Sequence, residues 1–535
     1  VIFPGYVSDM GAWYTVTIRY KNYLVTLRDS LKLLPFSVAK IGKDFKTKHQ
    51  KLEIEYTGFR YKGGYISPEE RKYIENDVLV VKEALEILKS EGHEKTTIGS
   101  CCLDEYKMIM NDTYKAYFYD LTEYRYKEFN LDTYIRKSYR GGWCYLKRGC
   151  ENIIYKYGCT ADVNSLYPSM MSSDSGNYYP VGEPHLFDAS EFNSIKDRPT
   201  SELYYFVRFT CGFKIKPNYL PFVQIKGTYL YKSNEMLETS EIFDKKQNKY
   251  VRYYIDREGN LHDTNKTEMC MTCTDFRLFL EHYDVYNLQI LDGVYFKTAI
   301  GIFDEYIEKY KKIKMTSKGA LRQLAKLFLN NLYGKFATNP ENRRKVAKYD
   351  GAKVSYNIIQ DEDKPTENIA IGSAITSYAR NFTIRHAQKN YKYFIYADTD
   401  SLHCNCDKSQ LVDIKTHPTA FNHWSIESEW DRGLFIRQKT YVEHVTIADG
   451  EQVKPYFDIK ACGMPKRCKE LFNISMTVRN KDERLKLAKT ERERRFLKEH
   501  RNLTDFKQGL CVPSKLMPKV IRGGTILRDT DFTMK

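Results

Sequence analysis

The sequence predicts a multidomain α+β chain, and three segments carry that reading. The first is a short apolar run, Phe394-Ile395-Tyr396-Ala397, ending in Asp398-Thr399-Asp400-Ser401. As a strand it would set both carboxylates on one face, because strand side chains alternate with period two, and two convergent carboxylates make a divalent-cation site. The second, Asp162-Val163-Asn164-Ser165-Leu166-Tyr167-Pro168, offers a third acid closing the strand-like stretch Ile153-Ile154-Tyr155, with Pro168 stopping the ladder. The third, Lys326 to Gly334, ends a helix whose apolar stripe is Leu321, Leu324, Phe328 and Leu332, with Gly334 placed to cap it. At ~100° per residue, Lys318, Arg322, Lys326, Asn330 and Tyr333 share the opposite face. That face offers cations, an amide and an aromatic ring together, as a triphosphate and a base would require.

Composition narrows the class of partner. Of 535 residues, 42% are hydrophobic, enough for several cores rather than disorder. Lys and Arg outnumber Asp and Glu by 85 to 69, and the 44 tyrosines supply flat rings. Cations neutralise phosphates and rings stack on bases, so the balance favours nucleic acid. The 13 cysteines are scattered and odd in number, with one Cys-x-x-Cys at Cys270 to Cys273, so neither a disulfide framework nor a zinc ribbon is expected. His403-Cys404-Asn405-Cys406 lacks a second ligand pair of suitable spacing. With no long apolar run and no charged-then-apolar leader, no membrane association is expected and a cytoplasmic location is, in the host cell if the source is viral. Val1 in place of methionine points to an amino-terminal truncation.

Taken together, Asp-x-x-Ser-Leu-Tyr-Pro from Asp162, Lys-x-x-x-Asn-x-x-Tyr-Gly from Lys326 and Tyr-x-Asp-Thr-Asp-Ser from Tyr396 resemble, in this order, motifs A, B and C of the family B DNA polymerases. Tyr139-Arg140-Gly141-Gly142 and Lys439-Thr440-Tyr441 resemble the Tyr-x-Gly-Gly and Lys-x-Tyr elements of the protein-primed branch, found in phages and linear plasmids. The resemblance spans nearly the whole chain. It implies a right-hand polymerase of palm, fingers and thumb with a partial ribonuclease-H-like exonuclease domain.

Along the chain, residues 1–98 resemble the later part of that exonuclease domain. Leu24 to Leu34 runs apolar to Pro35, and Ser67-Pro68-Glu69-Glu70 opens a helix through Ile74, Val78, Val81 and Leu85. The resemblance implies that Ser30 and Leu31 touch a frayed primer, that Lys51 positions the reacting phosphate, and that Tyr73 and Asp77 form the last exonuclease motif. A two-metal exonuclease needs several converging acids, however, and from Val1 to Arg28 the only one is Asp9. The chain as given is therefore expected to polymerise without proofreading.

Residues 99–173 would open the palm and 174–301, with mixed short strands and turns, would be the first terminal-protein-region insertion. Fingers would span 302–338. A second insertion at 339–364, with Asn342-Arg343-Arg344-Lys345 and Asp350-Gly351, would form a hairpin. Palm would resume over 365–460, and 461–535 would be the thumb. There Arg479 to His500, a charged helical stretch longer than the family's thumb leads one to expect, would be a solvated helix or a basic arm.

The implied chemistry is template-directed transfer of a nucleotide to a primer hydroxyl. Asp162 and Asp400, with the Val163 carbonyl, would hold two Mg²⁺ ions, Mn²⁺ being able to substitute, while Asp398 supports them. Lys326 would neutralise the triphosphate and supply a proton to pyrophosphate, with Lys314 and Arg322 as further cations. Amides from Val163 to Leu166, including that of Ser165, would bind phosphate oxygens. Tyr167 would exclude a 2′-hydroxyl, and Asn330 and Tyr333 would shape the base pair. Tyr139, Arg140, Gly141, Gly142, Gly334, Thr399, Lys439 and Tyr441 would contact DNA. Expected partners are primer-template DNA, dNTPs and a terminal protein, with the enzyme a monomer. The rival readings are a palm polymerase using RNA and an inactive DNA-binding scaffold. The first is opposed by Tyr167, the second by the presence of all three acids.

Overall fold

The structure is a computed structural model that describes the chain except residues 1, 4, 5, 9, 10, 55–59, 62, 128, 227–229, 233, 234, 257, 342, 350–353, 361–365, 515, 516, 522 and 523. Asp9, Asn342, Asp350 and Gly351 lie outside the described residues, as does Lys364 at the expected domain boundary.

An eight-stranded antiparallel sheet stands at the centre. Its strands are β1 (Cys144–Leu146), β2 (Ile154–Tyr155), β3 (Gly158–Val163), β4 (Phe394–Asp398), β5 (Ser401–Cys404), β6 (Trp424–Arg437), β7 (Thr440–Ala448) and β8 (Glu451–Ala461). The spatial order is β8-β7-β6-β3-β5-β4-β1, with the short β2 also on β6. Asp162 is therefore not the end of the Ile153–Tyr155 stretch but belongs to its own strand, β3, in mid-sheet. Strands β3, β4 and β5 are buried almost throughout; β4 reads as an apolar run, whereas β3 and β5 alternate and set Thr160, Asp162, Ser401 and His403 on one face.

The helix Ile369–Lys389 packs on these strands and is buried along most of its length. Its buried Thr376 and Thr383 hydroxyls donate to carbonyls one turn back, which satisfies them without solvent. The segment expected to hold short strands is dominated instead by long ones. Leu203–Ile215 and Tyr283–Ala299, 13 and 17 residues, pair along their length and are flanked by Tyr179–Asp188 and Glu268–Thr272. The continuous run Leu-Tyr-Tyr-Phe-Val at Leu203 explains this, because it is buried on both faces.

The helices Asp304–Thr316 and Ala320–Phe336 form a pair beside the sheet. In the second, Leu324, Phe328, Leu332 and Phe336 are buried, but Leu321 is 38% exposed. Gly334 does not end the helix: two more residues follow because Phe336 anchors the last turn in the core. Arg343–Tyr349 and Val354–Gln360 form a hairpin whose outer strand meets the amino-terminal segment through a Lys345 N–H donated to the Val7 carbonyl, 2.8 Å.

Towards the amino terminus, Thr15–Tyr20 and Tyr23–Arg28 form a tight hairpin. The helix Pro68–Ser90 starts as its sequence predicts, with a reciprocal Ser67/Glu70 capping box. Its buried face is Val80, Ala84 and Leu88, whereas Ile74 and Val78 are exposed, because only the second half of the helix packs on a core. At the other terminus Arg479 to His500 is neither one solvated helix nor a free basic arm. It breaks into Lys481–Lys486 and Glu491–Leu497. Arg484 is buried and donates to the carbonyls of Val478, Arg479, Leu497 and Lys498, while the buried Glu493 pairs with Arg467 at 2.6 Å. The strand Gly524–Arg528 reaches back to pair with Arg60–Tyr61. Among the described residues no helix is long and apolar enough to cross a membrane.

Candidate functional site

Strand register brings the acids together. Ser401 on β5 pairs with Asp162 on β3 and also with Asp398 on β4, leaving Thr399 and Asp400 as a two-residue turn. Thr399 has φ 66°, the left-handed conformation such a turn requires. Asp398 and Asp400 thus do not share a strand face by alternation: one ends β4 and the other sits in the turn. The Val163 N–H donates to the Asp400 carbonyl at 2.8 Å, tying the turn to β3.

The electrostatics separate the three acids. Lys439, itself in a left-handed conformation, places Nζ 2.5 and 2.8 Å from the two carboxylate oxygens of Asp398 and neutralises it. Among the described residues no cation forms an ion pair with Asp162 or Asp400, and Lys439 acts on Asp400 only weakly. Burial, the neighbouring Asp400 and then Glu427 push the Asp162 carboxyl up to about 8. Asp400 is raised as well, by burial and by Asp398 and Glu427. Two adjacent carboxylates that resist ionisation together are a site that favours a cation. They open on a cleft of about 600 Å³. Among the described residues, no group of three or more His, Cys, Asp or Glu side chains is arranged to hold a metal ion, so any cation here depends on the Asp162/Asp400 pair with main-chain or substrate oxygens.

Cations gather near Ser165. Lys314 Nζ lies 3.5 Å from Ser165 Oγ, three residues beyond Asp162. Its pKa is lowered by burial and by Lys326 and Arg322, two cations of the neighbouring helix. Ser165, at φ 52°, starts the short helix Leu166–Met171, and the amides of Leu166 and Tyr167 open its first turn. The Val163 amide is already committed to Asp400, which removes it from the phosphate-binding set.

Beside the acids the Tyr167 and Tyr333 rings stack, centroids 3.9 Å apart and 15° from parallel, with Tyr139 packed against the same core. Asn330 is exposed one turn from Lys326, and a Cβ on the exposed Gly334 would meet nothing within 4 Å. Gly142 is different. A Cβ there would meet Thr399 Oγ1 at 2.4 Å, so the absence of a side chain lets this loop lie on the acidic turn. Gly141 would meet nothing. Arg140 turns inward and donates to the carbonyls of Gln224, Lys137 and Tyr139. The loop is held by Arg380, buried and paired with Asp275, whose guanidinium also donates to the Arg140 and Gly141 carbonyls. Tyr441 is buried at the cleft, stacked on Phe435.

Sequence reasoning missed Glu427 and Arg380. Glu427 lies at a β-bulge between Ile426 and Ser428, and the bulge allows its carboxylate to join the cleft; nothing in Ser-Ile-Glu-Ser-Glu marks it. Arg380 did leave a signal, as the one cation between Ile369 and Ile384 of that helix. The Cys404 and Cys406 thiols face Cys159, and these contacts lower the pKa of the Cys406 thiol while raising those of its two neighbours; His403 is bonded elsewhere, to Glu443.

Away from the cleft, Lys51 contacts both Tyr73 and Asp77, so that predicted group is assembled. Burial acts to lower the Lys51 pKa, but the bonds to Asp77 and Tyr73 raise it overall. Ser30 begins a 3₁₀ turn, with Leu31 exposed beside it.

An acid on a buried mid-sheet strand set beside an acid in the adjoining turn, with cations gathered near Ser165, fits a polymerase. A profile of the family described as DNA polymerase type B, organellar and viral, matches residues 2–65 and 61–417. The chain is similar to the DNA polymerase of Bacillus phage phi29, with 34% identity over 548 residues, covering 99% of this chain and 84% of that protein. It is similar to the DNA polymerase of Streptococcus phage Cp-1 at 28% over 540 residues, with 99% and 83% covered. The solved phi29 DNA polymerase complexed with primer-template DNA and incoming nucleotide substrates matches at TM-score 0.79 and 31% identity, covering 99% of this chain and 85% of that one. The chain belongs to the organellar and viral type B DNA polymerases. It is a DNA-directed DNA polymerase with the family B fold.

Proposed function

We propose that this polymerase extends primer-template DNA at Asp162 and Asp400 and begins synthesis on a terminal protein. In this reading the eight-stranded sheet is the palm, the helix pair 304–336 the fingers and residues 461–535 the thumb. Residues 174–301 and the hairpin within 339–364 are the two insertions. The observation that carries the reading is the Asp162/Asp400 pair, set together by strand register, with Lys314 at 3.5 Å from Ser165 Oγ and within electrostatic reach of Arg322 and Lys326. A triphosphate can bridge those opposite charges, and the donor set fits hard divalent cations such as Mg²⁺. Such ions, held by Asp162, Asp400 and the Val163 carbonyl, would supply charge neutralisation at the reacting phosphate.

The residues of this chain do the rest. Lys326 and Lys314 bind phosphate oxygens, and the Leu166 and Tyr167 amides add neutral donors. Stacked on Tyr333, Tyr167 is fixed as a rigid wall against a ribose 2′-hydroxyl. Lys439, tied to Asp398, orients that acid beside the primer end. Terminal-protein priming is supported by the likeness of the Tyr139 and Lys439 motifs and of both insertions to the protein-primed branch. Its test is the genome this enzyme copies. The DNA should be linear and its 5′ ends should resist a 5′ exonuclease even after protease treatment; ends that digest freely would remove the terminal protein from the reading.

A further inference from the structure

We propose that His403 and Glu443 are positioning residues that hold β3 and β5 at the separation the Asp162/Asp400 pair requires. The proposal rests on the reading of those acids as the cation-holding pair. On β3 and β5, Thr160 pairs with His403 and Asp162 pairs with Ser401, so all four lie on one face of the sheet. His403 Nδ1 is 2.7 Å from Glu443 Oε1, and Thr160 Oγ1 is 3.0 Å from the same oxygen. Trp430 Nε1 donates to Thr160 Oγ1 at 3.3 Å. The other ring nitrogen, His403 Nε2, lies 3.4 Å from Ser401 Oγ. Ser401 directly follows Asp400 in the chain.

This network crosses four strands: Thr160 on β3, His403 on β5, Trp430 on β6 and Glu443 on β7. It lies at the cleft floor, with His403 1% and Glu443 2% exposed. Its surroundings are aromatic, with Tyr396, Phe435 and Tyr441 against the His403 ring. Stability alone does not call for a carboxylate there, because replacing buried charged groups with packed apolar side chains is often neutral or stabilising. What a fully satisfied polar network adds is a fixed geometry. Here the geometry has a direct consequence. The four-residue β5 begins directly after the two-residue turn, so its register against β3 sets where Asp400 stands relative to Asp162.

The test measures single-nucleotide addition on a primer-template as a function of Mg²⁺ concentration, alongside primer-template affinity and thermal midpoint. In Glu443→Leu and His403→Phe the half-saturating Mg²⁺ concentration should rise about tenfold with DNA affinity unchanged. Glu443→Gln, which keeps an oxygen acceptor for the imidazole, should recover most of the loss. Thr160→Val removes one hydroxyl with little change of shape and should shift the curve in the same direction; it decides the matter if the larger substitutions do not fold. An unmoved Mg²⁺ curve, or equal damage in Glu443→Gln and Glu443→Leu, overturns the proposal. Asp162→Asn run in parallel separates the two levels. Activity retained there removes the underlying site, whereas an inactive Asp162→Asn beside a normal Glu443→Leu curve removes only the positioning role.

Discussion

Asp162 and Asp400 are chemically alike, yet the chain gives them a different fate from Asp398, which Lys439 neutralises. Replacing either by Ala should lower Mg²⁺-dependent synthesis by roughly 10³-fold, about 4 kcal/mol of transition-state stabilisation, with primer-template binding largely kept. Primer extension beside a gel-shift titration checks this, and near-parental extension would end the assignment. Tyr167→Val should raise the ratio of ribonucleotide to deoxynucleotide incorporation, since it deletes the ring that stacks on Tyr333. If that ratio is unmoved in competition assays, Tyr167 is a packing residue only.

Short elements carry the site, and their contacts say which substitutions matter. Gly142→Ala should impair polymerisation, because its Cβ would drive into Thr399 and displace the turn that bears Asp400. Thr399→Gly removes the obstructing side chain and suits the positive φ at that position, so the double variant should recover activity relative to Gly142→Ala alone. No recovery in steady-state extension would mean that the loop acts through some other contact. At the helix Pro68–Ser90, Ser67→Ala should cost about 1 kcal/mol through loss of the capping box, read as a lower thermal midpoint with polymerisation at permissive temperature retained.

At the scale of the whole molecule, the long-stranded sheet of residues 179–299 is joined to the preceding segment through Asp292. Its carboxylate, 1% exposed, accepts from Arg208, Lys127, Tyr126 and Tyr134. Burial alone would raise its pKa, but the Arg208, Lys127 and tyrosine bonds outweigh it and hold the acid well below the usual carboxylate range. A pKa depressed on folding stabilises above the unfolded value of about 3.9, and this contribution is lost as pH falls from there through the folded value. Asp292→Asn should therefore lower the thermal midpoint near neutrality, by an amount on the order of 3 kcal/mol for a broken buried pair, and should flatten its fall below about pH 4. A parallel downward shift at all pH values would assign the acid limb to other carboxylates.

What the sequence by itself determined was local and periodic. The capping box at Ser67 and the helix face bearing Lys326 are each specified within a few positions, where propensity and spacing act without the rest of the chain. The cation cluster was legible for the same reason, since one helix face carries two of its members. Only the tertiary structure decided which acids share a site, that Glu427 joins them, that Gly142 serves Thr399, and that Arg140 and Arg484 turn inward to carbonyls. Those outcomes depend on strand register and on the burial of residues far apart in the chain. Register is set by the sum of contacts across a sheet, and no window of sequence contains that sum.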